Sequence, residues 1–86
     1  MSQRYSTEQI NDYRLERVPG PFDETVGYRV LVAGDVLGTV ERVTFRSKAW
    51  RALDTNRIAL PHVGTGRCAA NREAAVVDLL SGIGVA

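Results

Sequence analysis

A chain of 86 residues, 44% hydrophobic and 24% charged, has the composition of one small folded domain, which excludes wholesale disorder. Its one cysteine, Cys68, cannot form an internal disulfide, so packing alone must stabilise the fold. No apolar run approaches the roughly 20 residues of a membrane helix, and the first residues lack the apolar run of a signal peptide. We therefore expect a cytoplasmic protein.

The charges are unevenly distributed along the chain. The formal net charge is +1, but residues 42–72 carry seven basic residues against one acid, Asp54, a local balance of +6. Residues 1–41 carry four arginines against seven acids, a balance of −3, and residues 73–86 carry two acids and no base. A local positive field attracts phosphate groups even when the whole protein is near neutral. The basic centre is therefore the first candidate for a binding surface.

Residues 1–24 are predicted to form a polar N-terminal segment that ends in a proline- and glycine-rich loop. Ser6 and Gln9 have the spacing of a capping box, which predicts a short helix. The alternation of residues 13–18 instead indicates a short strand, and the sequence leaves both interpretations open. Residues 19–24 contain two prolines, which remove backbone donors and restrict their neighbours, so this stretch is predicted to be a loop.

Residues 25–86 are predicted to form a single domain that begins with a meander of short strands. Runs rich in β-branched and aromatic residues alternate with turn signals such as Ala33-Gly34-Asp35, and such short connections require antiparallel neighbours. Gly38 inside the second run indicates a bulge or a point of close approach. The strands are predicted at Tyr28–Val32, Val36–Phe45, Ala49–Leu53 and Ile58–Leu60.

The last predicted element is a helix. Asn71 is a favourable N-cap, Glu73 lies near the positive end of the helix, and Gly82 is a favourable stop. An apolar stripe at i, i+3, i+4 and i+7 would dock on a sheet; it consists of Val76, Leu79, Leu80 and Ile83. The predicted fold class is α+β: an antiparallel sheet of three or four strands packed on one C-terminal helix.

A basic face is predicted for the central hairpin. If Phe45 pairs with Trp50, the apolar residues of the two strands share the face under the helix, and the basic residues share the solvent face. We expect that solvent face to contact nucleic acid, although a solvated face that serves solubility gives the same pattern. The candidate nucleic-acid-binding residues are Arg42, Thr44, Arg46, Lys48, Arg51 and Arg57.

The segment Gly64-Thr65-Gly66-Arg67-Cys68-Ala69 matches the G-x-G-x-x-A pattern of a dinucleotide-binding turn and lies just before the predicted helix. That fold also needs a parallel strand after the helix, which the predicted elements lack, so we exclude it. A weaker interpretation remains, in which the loop and the helix start hold one phosphate. Its candidate residues are Gly64, Gly66, Arg67 and Arg72.

Other chemistry-bearing residues are predicted to be structural. One histidine and one cysteine, His62 and Cys68, fall short of a zinc site and lack the third group of a nucleophilic triad. Asp23 and Glu24 lie in the proline-flanked loop and are predicted to be solvated. Trp50 stacked with its aromatic neighbours Tyr28 and Phe45 would form a base platform, but core packing is favoured. We therefore expect no metal, no cofactor and no enzymatic activity.

Residues 28–80 resemble small strand-strand-strand-helix domains. Gly38, the triplet Trp50-Arg51-Ala52 and the helix start Arg72-Glu73-Ala74 carry this resemblance. One such group is the N-terminal arm-type DNA-binding domain of tyrosine-recombinase integrases, and short uncharacterised actinobacterial and phage-encoded proteins have the same outline. The integrase resemblance implies a sheet face in the DNA major groove, with Arg42, Thr44, Arg46 and Arg51 facing the DNA. These 86 residues depart from that family's pattern, since they contain neither its lysine-rich linker nor its catalytic domain, and we therefore expect no strand-exchange catalysis from them.

Two functional hypotheses follow. The first is a non-catalytic module that binds nucleic acid through the basic sheet face. The alternative is a protein-interaction or self-assembling domain, in which an open edge strand pairs with a second copy. For that alternative the sequence predicts residues 28–32 as the edge.

Overall fold

The structure, a computed structural model, describes residues 5–44 and 46–84, so Phe45 lies outside the described residues. Four strands form one antiparallel sheet in the order β1-β2-β3-β4, and one C-terminal helix follows them. This confirms the predicted α+β meander. The elements are α1 (Thr7–Asn11), β1 (Arg14–Pro19), β2 (Thr25–Val32), β3 (Asp35–Arg42), β4 (Trp50–Leu53) and α2 (Arg72–Gly82).

The N-terminal segment contains both of the elements that the sequence left as alternatives, one after the other. The Ser6 hydroxyl accepts a bond from the Gln9 amide at 3.1 Å, and the Gln9 side chain accepts one from the Ser6 amide at 2.9 Å, which is a capping box for α1. β1 then pairs with β2, with Leu15 opposite Val30. Tyr5 is buried and donates its hydroxyl to Asp35 at 2.7 Å, so this segment is part of the folded body.

The pairing of β3 with β4 determines which residues share a face of the sheet. Arg42 lies opposite Trp50, and Glu41 lies opposite Arg51. Because paired residues share a face and faces alternate along a strand, Arg42 is on the side covered by α2 and Arg51 is on the other side. The predicted register placed both arginines together and is wrong.

The β3–β4 connection explains this error. β3 ends at Arg42, so Thr44 and Arg46 lie in the connection and not on a strand. The Ser47 amide donates to the Thr44 carbonyl at 3.1 Å, and the Ser47 hydroxyl accepts from the Ala49 amide at 2.9 Å. This local turn satisfies backbone groups that a longer hairpin would have paired across the strands, and the sequence-based prediction continued the strand through it.

The predicted edge strand is an interior strand. β2, which contains residues 28–32, lies between β1 and β3, and the edges of the sheet are β1 and β4. The predicted strand at residues 58–60 is reduced to an isolated bridge between Ala59 and Leu53 and a bond from the Leu60 amide to the Ala52 carbonyl. Pro61 ends this short pairing because it has no amide to donate.

α2 packs on the sheet with the predicted stripe. Val76, Leu79 and Leu80 are buried, and Ile83 packs against the same core. The Asn71 side chain accepts a bond from the Ala74 amide at 2.8 Å, which confirms the predicted N-cap. The helix includes Gly82, and the positive φ of 80° is at Gly84. No helix in residues 5–44 and 46–84 has the length and hydropathy of a membrane span.

Gly38 is the close-approach point that the sequence indicated, and it lies next to a bulge in β3, where Leu37 has no partner in β2. The register between β2 and β3 shifts after Val30, which faces Gly38, so that the next residue, Leu31, faces Val36. A Cβ on Gly38 would lie 2.6 Å from a methyl carbon of Leu79 and would also overlap the carbonyl of Leu53. α2 can therefore approach the sheet only because this position has no side chain.

We expect Gly38→Ala to lower the free energy of unfolding by about 2–3 kcal/mol, because the added methyl overlaps a backbone atom as well as Leu79. Urea unfolding measures the change. Thr39→Ala, one residue further along β3, serves as the control and should change stability by less than about 1 kcal/mol. A stability loss for Gly38→Ala no larger than that of the control would contradict the close approach of α2.

Candidate functional site

Two arginines and two aromatic rings form a continuous row beside the start of α2. The Tyr28 and Trp50 rings stack with centroids 6.3 Å apart and planes inclined by 25°. The Arg42 guanidinium carbon is 5.7 Å from the Trp50 ring centroid, and that of Arg72 is 4.8 Å from the Tyr28 centroid. The negative face of each ring attracts its guanidinium, and for Arg42 this contact needs no carboxylate.

Backbone pairing places each member of this row. Arg42 and Trp50 are cross-strand partners in β3 and β4, and Tyr28 lies on the same face from β2. Arg72 comes from a different element, since it is the first residue of α2. Ala69 holds that helix start in place, because its amide and carbonyl both bond to the Trp50 backbone, at 3.1 and 2.8 Å.

Two adjoining depressions share Arg42 and Trp50. The first, of about 490 Å³, is bounded by Thr25, Tyr28, Arg42, Trp50, Arg72 and Glu73. The second, of about 450 Å³, is bounded by Arg42, Arg46, Ser47, Lys48, Trp50, Ala70 and Asn71. Four cationic side chains and one acid, Glu73, therefore line this surface, a local balance of +3. We call Tyr28, Arg42, Arg46, Lys48, Trp50 and Arg72 the basic aromatic cluster.

Arg72 is held in the cluster mainly by the Tyr28 ring. Its Nε is buried and has no hydrogen-bond partner among the described residues, while its terminal nitrogen lies 3.3 Å from Glu73. The Arg72 side chain remains 37% exposed, so part of the guanidinium faces solvent. Arg42 forms no ion pair within residues 5–44 and 46–84, and its charge is thus not compensated by a carboxylate.

Arg51 and Arg57, also predicted as nucleic-acid contacts, lie on the opposite face of the sheet around a buried carboxylate. The Glu41 side chain is 9% exposed and accepts two bonds from Arg51, at 2.9 and 2.6 Å. Its second oxygen lies 3.4 Å from Arg57. The structure therefore brings Arg42, Arg46 and Lys48 together and separates them from Arg51 and Arg57, whose charges are partly neutralised.

The other predicted residues are dispersed. Thr44 is exposed and borders a groove on the uncovered face together with Arg51. Gly64, Gly66 and Arg67 are exposed in the loop before α2 and line neither depression of the cluster. Of the four phosphate candidates, only Arg72 belongs to the basic aromatic cluster.

His62 and Asp78 form a buried pair that the sequence analysis missed. His62 Nδ1 is 2.7 Å from one Asp78 oxygen, and the Val63 amide donates to the other at 3.0 Å. Asp78 is 2% exposed, in the middle of α2. The sequence does contain a signal for this pair. Asp78 follows Ala75 by three residues and so lies on the apolar side of the helix, and an acid buried there needs a hydrogen-bond partner. The pair fastens the loop before α2 to the helix itself.

Cys68 is a half-buried free thiol in that loop. The residues described in the structure contain no group of three histidine, cysteine, aspartate or glutamate side chains that could hold a metal ion. The two buried carboxylates among these residues bond to the chain's own groups: Glu41 to two arginines, and Asp78 to His62 and the Val63 amide.

No protein-family model, curated protein or solved structure matches this chain. Function is therefore inferred from the geometry and charge of the cluster.

Glu41→Gln tests whether the carboxylate organises the uncovered face. We expect it to lower the free energy of unfolding by about 1–2 kcal/mol, because charge-assisted bonds to a buried oxygen are lost. Arg57→Gln removes only the longest and most exposed contact, so its cost should be below about 0.5 kcal/mol. Urea unfolding measures the free energy of unfolding of both variants. Equal losses for Glu41→Gln and Arg57→Gln would contradict the interpretation that Arg51 is the main partner of the Glu41 carboxylate.

Asp78→Ala should lower the free energy of unfolding by about 2–3 kcal/mol, since it leaves His62 Nδ1 and the Val63 amide without a partner. Val77→Ala, at an exposed position of the same helix, is the control and should change stability by less than about 0.5 kcal/mol. Hydrogen exchange at the Val63 amide gives a local readout. Protection there that survives Asp78→Ala would show that the loop is held by something else.

Proposed function

We propose that this protein is a small non-catalytic module that binds nucleic acid through the basic aromatic cluster. The observation that carries the proposal is the gathering of four cationic side chains around Trp50, with a single acid at the margin. Phosphate binding needs cations that are not already neutralised, and Arg42 meets that condition.

The types of residue in the cluster suit a nucleic-acid strand. Arginine presents a rigid fork of donors that can contact two phosphate oxygens at once, and lysine adds a mobile point charge. Exposed bases stack on aromatic rings and on guanidinium planes, at about 1–3 kcal/mol per base. Trp50 is half-buried beside Arg42, so a base can reach this row only when it is unpaired. Single strands are accordingly the favoured ligand.

This proposal differs from what the integrase resemblance implies. A sheet face laid in a major groove would have to be the face that α2 leaves uncovered. There Arg51 and Arg57 share Glu41, and Arg29 pairs with Glu16 at 2.8 Å. Phosphate contact through those arginines would compete with existing ion pairs, whereas contact through Arg42 would not.

Binding of a short unstructured oligonucleotide tests the proposal, with the fluorescence of Trp50, the chain's single tryptophan, as the readout. We expect affinity to fall steeply as salt rises. The double variant Arg42→Gln/Lys48→Gln should weaken binding by at least about tenfold and reduce the slope of log affinity against log salt by about 1.4, since each single-strand phosphate contact contributes about 0.7.

The matched control is Arg17→Gln/Arg29→Gln, which removes two positive charges that pair with surface acids away from the cluster. It should bind almost as tightly as the unmodified chain. If both double variants weaken binding equally, only the net charge of the protein matters. If the affinity does not change with salt concentration, the protein does not contact phosphates. Either result overturns the proposal.

A further inference from the structure

The two edges of the sheet differ in how well their backbone groups are satisfied. β4 is bordered by Ala69, which bonds twice to Trp50, and by Ala59, which forms a bridge with Leu53. β1 pairs with β2 on one side only, and its outer side has no backbone hydrogen-bond partner in residues 5–44 and 46–84. An open row of donors and acceptors is a template for another strand.

The charges of β1 decide which strand can pair there. Edge strands often carry charges that prevent pairing, and β1 carries Arg14, Glu16 and Arg17. When two copies of β1 pair antiparallel about a two-fold axis, that axis is perpendicular to the sheet. Residues that face each other across the axis must have their side chains on the same face of the sheet, so they are an even number of positions apart in sequence. Only registers centred on a residue are therefore allowed.

One such register along these charges is self-complementary. A register centred on Arg14, on Glu16 or on Arg17 sets that charge against its own copy, which is repulsive. A register centred on Leu15 instead sets Arg14 against Glu16 of the second copy, and the symmetry repeats the pair.

We propose that two copies of this chain pair edge to edge through β1, antiparallel and centred on Leu15, to form a continuous eight-stranded sheet. Leu15 is half-buried and packs against the core, so its meeting with the Leu15 of the second copy covers the exposed part of both side chains. Glu16 is 59% exposed beside Arg29, which leaves it room for a second arginine. A six-residue edge buries little area, so the dimer should dissociate on dilution.

Sedimentation of single and mixed variants tests the charge pairing. Arg14→Glu sets acid against acid, and Glu16→Arg sets base against base, so each variant alone should stay monomeric at concentrations where the unmodified chain dimerises. An equimolar mixture of the two should form a heterodimer, because position 14 of each then faces the opposite charge at position 16 of the other. Circular dichroism of each variant confirms that it is folded.

Cysteine cross-linking tests the register in a Cys68→Ser background. Leu15→Cys places two thiols directly opposite each other, and we expect an intermolecular disulfide on mild oxidation. Val18→Cys is the control, because the two copies of residue 18 would be six residues apart along the strands, about 20 Å. It should remain uncross-linked. A monomeric unmodified chain, a mixture that fails to pair, or equal cross-linking at both positions would overturn the proposal.

Discussion

The pairing of Arg42 with Trp50 is the constraint from which the surface chemistry of this protein follows. It sets the register of β3 on β4, and a slip of one residue would exchange the two faces of the hairpin. With this register, Glu41 and Arg51 form their ion pair on the uncovered side, and Arg42 rests on the indole beside α2. The basic centre of the sequence is thus divided between two faces, and neither face carries all of it.

The sequence predicts the parts of the fold that depend on local pattern. The helix stripe around Leu79, the Asn71 cap and the close approach at Gly38 all follow from residues whose spacing or size has one favourable use. The register of the central hairpin does not follow, because it depends on where β3 ends. That end is set by hydrogen bonds of Ser47 within the connection, which compete with the strand ladder and leave no periodic signal.

The candidate site is predictable to the same limited extent. Charge counting found Arg42, Arg46 and Lys48, but it also selected Arg51 and Arg57, since it cannot see that Glu41 is buried between them. Tyr28 and Arg72 enter the cluster through contacts between β2 and the start of α2, which are distant in the chain. The pairing of Asp78 with His62 is likewise not predictable from the sequence. The two residues are distant in the chain, and His62 belongs to a loop without a regular pattern.

The partner of each arginine decides what its charge can do. A guanidinium bound to a carboxylate, as Arg51 is to Glu41, has its charge partly neutralised, and a phosphate must compete with the carboxylate to bind it. A guanidinium on an aromatic face, as Arg42 is on Trp50, is held in position yet keeps its full charge. A chain with a net charge of +1 can therefore carry a positive surface, provided that its acids are used elsewhere. Glu16, Glu41 and Asp23 each pair with an arginine outside the cluster, which leaves Arg42 on the Trp50 ring without a carboxylate partner among the residues that the structure describes.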